Sequence, residues 1–207
     1  MNTVSNEQNL IAIDLGNGTT SYIAGNGKQG SFPSLVAQHK DTSGLGSEFA
    51  KEVFKTKDGK TYLVGESCRD GNARSRSTDS SFYSSETIHV LLLKVLEECE
   101  IKNPIIVTGL PTEFYDQEVK AFEDNIRRWA KGEGYQLKLV KVVPQWAGPW
   151  FDDQLADEQG TRIALDRVLK GKWGIIDIGQ GTTDIGQFNN GRVSDQRYGE
   201  SKGVSDI

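Results

Sequence analysis

The sequence predicts an α/β fold, a mixed sheet with flanking helices, on three observations. Compact apolar runs of strand length recur along the chain, each closed by a Gly- or Pro-containing turn. Residues 86–98 and 116–131 carry apolar side chains at helical spacing, with charged residues opposite. A strand–turn–strand pattern near the N-terminus returns, almost residue for residue, around Asp177.

The elements follow in order. Leu10-Ile11-Ala12-Ile13-Asp14-Leu15 is a compact apolar run with one acid, and it predicts a buried strand. Gly16-Asn17-Gly18-Thr19-Thr20 predicts a tight turn, because Gly and Asn tolerate left-handed backbone. Residues 21–24 read as the returning strand of a hairpin. Residues 32–36 and 61–65 are further strand candidates, separated by a polar stretch read as exposed loops and short strands. Residues 71–81, rich in Arg, Ser, Asn and Asp, read as a surface loop. Ile88, Leu91, Leu92, Val95 and Leu96 mark the first helix; Val119, Phe122, Ile126 and Trp129 mark the second. Residues 104–111 form a strand closed by a Gly/Pro turn, and residues 136–143 alternate as a strand. A helical segment after Pro144 is bent by Gly148 and Pro149, and helical spacing resumes over 163–169.

The opening pattern then recurs. Ile13-Asp14-Leu15-Gly16-Asn17-Gly18-Thr19-Thr20 aligns with Ile176-Asp177-Ile178-Gly179-Gln180-Gly181-Thr182-Thr183. Asn189-Asn190-Gly191 is a hairpin-turn signal after the second copy. The residue types suit phosphate. Gly-rich turns present backbone N–H groups with no side chain in the way, and Thr hydroxyls add donors with little bulk. A carboxylate beside phosphate is useful when hydrated Mg²⁺ lies between them. Two such hairpins facing each other could clamp a triphosphate.

Composition bounds the partners. The chain has 207 residues, a formal net charge of −5 and two cysteines. That charge argues against direct sequence-independent nucleic-acid binding, which needs a clustered basic surface. Cys68 and Cys99 have no metal-ligand spacing and read as reduced, buried or half-buried thiols. No signal peptide and no membrane-length apolar run is visible, so a soluble, cytoplasmic protein is expected.

The duplicated Asp-x-Gly-x-Gly-Thr-Thr hairpin resembles the first and second phosphate loops of the actin, sugar-kinase and heat-shock-chaperone ATPase superfamily. Within it, the chain is most similar to the ParM/StbA plasmid-segregation branch. That similarity rests on Phe32-Pro33-Ser34, Val107-Thr108-Gly109-Leu110-Pro111 with Glu113-Phe114-Tyr115, Val142-Val143-Pro144-Gln145, and Gly199-Glu200-Ser201-Lys202-Gly203-Val204. The resemblance implies an actin-like fold of two ribonuclease-H-like domains, the first over residues 1–170 and the start of a second over 171–207. It implies that Asp14 and Asp177 orient hydrated Mg²⁺ or the attacking water. It implies that Gly16, Asn17, Gly18 and Thr19 touch the phosphates of ATP or GTP from one side. Gly179, Gln180, Gly181, Thr182 and Thr183 would do so from the other. Gln145 falls where the family places a water-positioning Glu or Gln. The branch usually carries Glu, so an amide here is a departure. It can orient water without being a strong base, and slow ATP hydrolysis is the expectation.

The function so implied is polymerisation into filaments with Mg-ATP, segregating plasmid or other DNA through a DNA-binding adaptor. The alternatives are a non-catalytic actin-fold scaffold or regulator, and a small-molecule kinase of the same superfamily. The kinase needs a catalytic Asp that no segment outside the hairpins supplies. The family's adenine-binding loop lies well after the second hairpin, whereas the sequence ends at Ile207. A fragment of a longer protein is therefore expected, with apolar surface exposed around Ile175, Ile178 and Ile185. Weak nucleotide affinity and doubtful turnover are expected of the 207 residues alone. His39 and His89 read as structural, Arg69, Arg74 and Arg76 as a solvated loop, and Trp146, Trp150 and Phe151 as core packing.

Overall fold

The computed structural model describes residues 4–39, 53–68, 80–152 and 154–204. After a single helical turn, α1 (Val4–Glu7), come β1 (Leu10–Leu15), β2 (Thr19–Ala24), β3 (Gln29–Pro33), β4 (Val36–Gln38), β5 (Phe54–Lys55) and β6 (Thr61–Val64). Then follow α2 (Glu86–Cys99), β7 (Ile105–Leu110), α3 (Thr112–Gly132) and β8 (Leu139–Pro144). The last elements are α4 (Leu165–Lys170), β9 (Lys172–Ile178), β10 (Thr183–Asn189), β11 (Arg192–Val193) and β12 (Tyr198–Glu200). By contacts the chain divides into two units. One comprises Met1–Thr108 and Lys120–Lys141; the other comprises Gly109–Val119 and Val142–Ile207.

The first unit is built on a five-stranded mixed sheet in the order β3-β2-β1-β7-β8. β1 and β2 pair antiparallel, with Asp14 opposite Ser21 and Leu15 opposite Thr20. β1 and β7 run parallel, from Leu10 opposite Ile105 to Ile13 opposite Thr108. A parallel pair needs a crossover, and this one contains the small β4-β6-β5 sheet and α2. α2 is buried on most sides: Ile88, Val90, Leu91, Leu92, Leu93, Val95 and Leu96 are all at most 1% exposed. Each such leucine contributes about 2 kcal/mol of burial. Ser85 caps the helix, its hydroxyl accepting the Ile88 N–H at 3.3 Å. The β2–β3 turn secures the other end. Asn26 donates to the Cys99 carbonyl at 2.8 Å, and the Lys28 ammonium donates to the Glu98 carbonyl at 2.9 Å. β1 is the expected strand, buried on the face that carries Ile11, Ile13 and Leu15, with Leu10 and Asp14 exposed.

α3 starts at Thr112, four residues before the expected Asp116. Phe122, Ile126 and Trp129 form its buried stripe, as the spacing predicts, with Val119 half-buried. His89 stacks on Trp129 at 5.0 Å and 14° between planes, and its burial holds the imidazole below its ordinary pKa. Both cysteines are free and buried.

In the second unit, β10 pairs antiparallel with β9, β11 and β12. The predicted turn is present between β10 and β11, with Asn190 at φ 50° and Gly191 at φ 75°, the left-handed pair of a type I′ hairpin. One face of the β9–β10 sheet packs on Trp146, Trp150 and Val168, with Trp173 and Ile175 partly buried against them. The other face is open, with Ile176 at 66%, Ile178 at 61% and Ile185 at 37% exposed. The expected exposure thus holds for Ile178 and Ile185 but not for Ile175, because neighbouring strand residues face opposite ways. Trp146 and Trp150, on a 3-10 helix over Gln145–Phe151, are core residues as expected. Phe151 is not, being 73% exposed at the end of that helix. The Arg69, Arg74 and Arg76 cluster and most of the 71–81 loop lie outside the described residues. No described helix is long and apolar enough to cross a membrane.

Candidate functional site

The first hairpin turn, residues 16–18, is braced from beneath by Ser34. The Ser34 hydroxyl donates to the Gly16 carbonyl at 2.6 Å, and the Ser34 N–H donates to the Gly18 carbonyl at 3.0 Å. Thr20, fully buried, meets the same hydroxyl at 2.9 Å. This gives Phe32-Pro33-Ser34 a physical role: β3 ends where a hydroxyl must meet the turn. A β-carbon on Gly16 would sit 2.8 Å from the Thr19 carbonyl oxygen, so a side chain there would force the turn open. Asp14 and Thr19 are exposed. The Asn17 carboxamide oxygen is buried without a hydrogen-bond partner among the described residues.

The second turn is closed more tightly. The Gly179 N–H donates to the Thr182 carbonyl at 2.8 Å, and the Gly179 carbonyl accepts the Val204 N–H at 3.1 Å. Gly203 has no room for a side chain, since its β-carbon would fall 2.5 Å from the Gly179 oxygen. The Thr183 hydroxyl donates to the Lys202 carbonyl at 2.8 Å. Gly181 and Thr182 are buried, and Gln180 is exposed. Asp177 is half-buried, and burial pushes its carboxyl above the usual carboxylate range. It stands in register opposite Asp184, as Asp14 stands opposite Ser21. The two hairpins therefore share one register as well as one motif.

Gln145 opens the 3-10 helix, half-buried, in the same unit as the second hairpin. Gly109 at the end of β7 lies against it: a β-carbon on Gly109 would be 3.0 Å from Gln145 Cα and 3.2 Å from its Cβ. The first hairpin, with Asp14, Gly16, Asn17, Gly18 and Thr19, belongs to the other unit. Among the described residues no group of three or more His, Cys, Asp or Glu side chains could hold a metal ion by itself.

Two residues escaped the sequence reading. Asp184 lies inside an apparent strand, and Gly109 belongs in the sequence to a Gly/Pro turn and to the Val107–Pro111 stretch, with no role of its own. The strand alternation places Asp184 on the same buried face as Phe188; an acid at an inward position was the signal available.

Residues 12–148 match the family model described as "Actin like proteins N terminal domain". The chain belongs to this family of actin-like proteins. A curated relative, the archaeal actin homolog of Thermoplasma acidophilum, is 27% identical over 198 residues, covering 87% of this chain. The chain spans 57% of that relative's length. Among solved structures, an archaeal actin homolog in complex with ADP superposes with a TM-score of 0.64 at 21% identity, over 95% of this chain and 62% of that one. A 15-stranded ParM filament from Clostridium botulinum superposes with a TM-score of 0.59 at 24% identity, over 94% and 64%. The fold of this actin-like chain is thereby the actin-like fold.

Proposed function

We propose that this chain is part of an actin-like protein that binds ATP with Mg²⁺, polymerises into filaments, and segregates plasmid or other DNA through an adaptor. The observation that carries the reading is the register identity of the two Asp-x-Gly-x-Gly-Thr-Thr hairpins, each with a first glycine packed on its own Thr carbonyl. The nucleotide-bound and filamentous relatives support it.

The residues fit the ligand. Glycine carbonyls are engaged on the protein side in each turn, those of Gly16 and Gly18 by Ser34 and that of Gly179 by Val204. The Asn17 carboxamide oxygen, buried without a partner among the described residues, is an acceptor and would take its hydrogen bond from a water rather than from a phosphate oxygen. Gly16, Asn17, Gly18 and Thr19 hold phosphate oxygens with backbone N–H and hydroxyl donors. Gly179, Gln180, Gly181, Thr182 and Thr183 do the same in the second hairpin. Asp14 and Asp177 would be the carboxylates that face a hydrated Mg²⁺. The metal nucleotide supplies the activated phosphoryl group. Gln145 orients the attacking water with its carboxamide, and because an amide takes up no proton, turnover is slow. That same amide favours the second reading, a scaffold that binds nucleotide without turnover.

Light scattering of the full native chain is the test. Growth with Mg-ATP, absent without nucleotide and lost in Asp177→Ala, is expected. Phosphate transfer to a small molecule without scattering would mean a kinase; binding with neither outcome would mean a scaffold.

Gly109→Ala probes the Gln145 role. The added methyl pushes on the Gln145 backbone, so Gln145 must shift by a few tenths of an ångström. Turnover is expected to fall about tenfold, since small misplacements of positioning groups are costly. Nucleotide affinity, measured by titration, stays within about threefold. Equal losses in both would remove Gln145 from the proposed role.

A further inference from the structure

Asp184 is 1% exposed and lies directly across the strand pair from Asp177. Its Oδ1 accepts the backbone N–H of Thr112 at 2.6 Å. Thr112 is the first residue of the 21-residue helix α3. The first N–H groups of a helix have no partner inside it, and its positive end favours a carboxylate. A buried carboxylate in turn requires such donors. Each therefore meets the other's need, across 72 residues of sequence.

The surroundings reinforce the contact. Gly199 on β12 stands so close that a β-carbon would lie 2.8 Å from Asp184 Oδ1 and 2.7 Å from the Glu113 nitrogen. Arg197 pairs with both carboxylate oxygens of Asp116, 2.6 Å to Oδ2, and its guanidinium lies 5.6 Å from the centroid of the Tyr115 ring. Ser201 donates to Glu113 at 2.5 Å. The first turn of α3 is thus held from β10 and from both ends of β12. Burial pushes the Asp184 carboxyl above the ordinary range and the charge of Asp177 adds to this, while hydrogen bonds from Thr112 and Thr182 oppose it. The first hairpin has Ser21 at the equivalent position, so this carboxylate is peculiar to the second.

We propose that Asp184 is a positioning residue whose bond to the Thr112 N–H fixes the second hairpin, and with it Asp177, onto the first turn of α3. The inference rests on the nucleotide-binding reading of that hairpin. Asp184 acts by holding the strand that places Asp177, on a rigid element rather than a free loop.

Three single variants of the full chain and one double variant test it. Asp184→Ala removes the acceptor. Thr112→Pro removes the donor at the first helical position, where proline is accommodated. Asp184→Asn keeps an oxygen acceptor without the charge. Steady-state ATP hydrolysis, Mg-ATP binding and thermal unfolding are measured for each. Asp184→Ala and Thr112→Pro are each expected to lower kcat by roughly tenfold or more, with Mg-ATP affinity changed less than about threefold. The double variant should be no worse than the weaker single, because both remove one bond. Asp184→Asn should restore most of the kcat lost in Asp184→Ala. Additive effects, an unchanged kcat in Asp184→Ala, or an Asn variant as impaired as the Ala variant would each overturn the proposal. A wild-type chain that neither binds nor hydrolyses Mg-ATP overturns the underlying reading as well. A wild-type chain that turns over at the same rate as Asp184→Ala overturns this inference alone.

Discussion

Asp177→Asn in the full chain is expected to lower ATP turnover by about 10²- to 10³-fold, the usual loss when one well-placed electrostatic group is removed. The fold should not suffer. Asparagine has nearly the same shape, and it removes a charge that the fold holds at a cost. Asp177 is half-buried and its carboxyl titrates above its ordinary value because burial disfavours the ionised form. A raised folded-state value means that this group's contribution to stability is greatest below its unfolded value. It is lost as pH rises through the folded value. The variant should therefore match or exceed the wild type in stability near neutral pH. The difference should vanish below the unperturbed carboxylate value of 3.8. Wild-type turnover should likewise fall on acidification at a higher pH than an ordinary Asp would give. Single-turnover hydrolysis and denaturant titration at two pH values separate the effects. Loss of stability at neutral pH in proportion to activity would make Asp177 a structural residue instead.

Such a separation is possible because the hairpins were legible where residue type and backbone demand coincide. Gly16 and Gly179 are packed on Thr carbonyls, and Asn190 and Gly191 adopt the left-handed conformations their sequence announces. The stripe of α3 was legible for the same reason: Phe122, Ile126 and Trp129 are buried at helical spacing. The first turn of α3 was not. Its ordering comes from Asp184, Arg197 and Ser201, distant in sequence and polar, and leaves no periodic apolar trace. Ile175 departs from the expected exposure through phase. It and Ile178 are an odd number of residues apart on β9 and must face opposite sides, so the exposed pair is Ile176 and Ile178. Phe151 follows Trp150 at the end of a 3-10 helix, and nothing in the residue types says which aromatic turns outward. The Ser34 brace was present in the sequence as a motif, but its role needed the β3 end placed under the turn.

Gly186→Ala carries the largest expected cost in stability. A β-carbon at Gly186 would sit 2.2 Å from Cδ2 and Cε2 of Trp146, well inside van der Waals contact. The indole has nowhere to retreat. Trp146 is fully buried, and its ring meets Phe188 edge-on at 5.3 Å. Phe188 in turn is stacked on Trp150 at 3.9 Å and 13°. One added methyl must therefore displace three aromatic rings or β10 itself. Overpacking a tight core costs roughly 1–3 kcal/mol, and this contact belongs at or above the top of that range. Gly174, on the open face of the same sheet with nothing within 4 Å of its β-carbon, is the control. Gly174→Ala should change stability by less than about 0.5 kcal/mol. Trp146→Leu combined with Gly186→Ala tests the mechanism directly, because removing the ring removes the clash. The double variant should be more stable than the sum of the two single losses predicts, the signature of coupled neighbours. Strict additivity, or a Gly186→Ala cost below about 1 kcal/mol, would mean that β10 moves away from Trp146 freely. Asp184, two residues earlier on that strand, could then not hold the hairpin as rigidly as its bond to Thr112 implies.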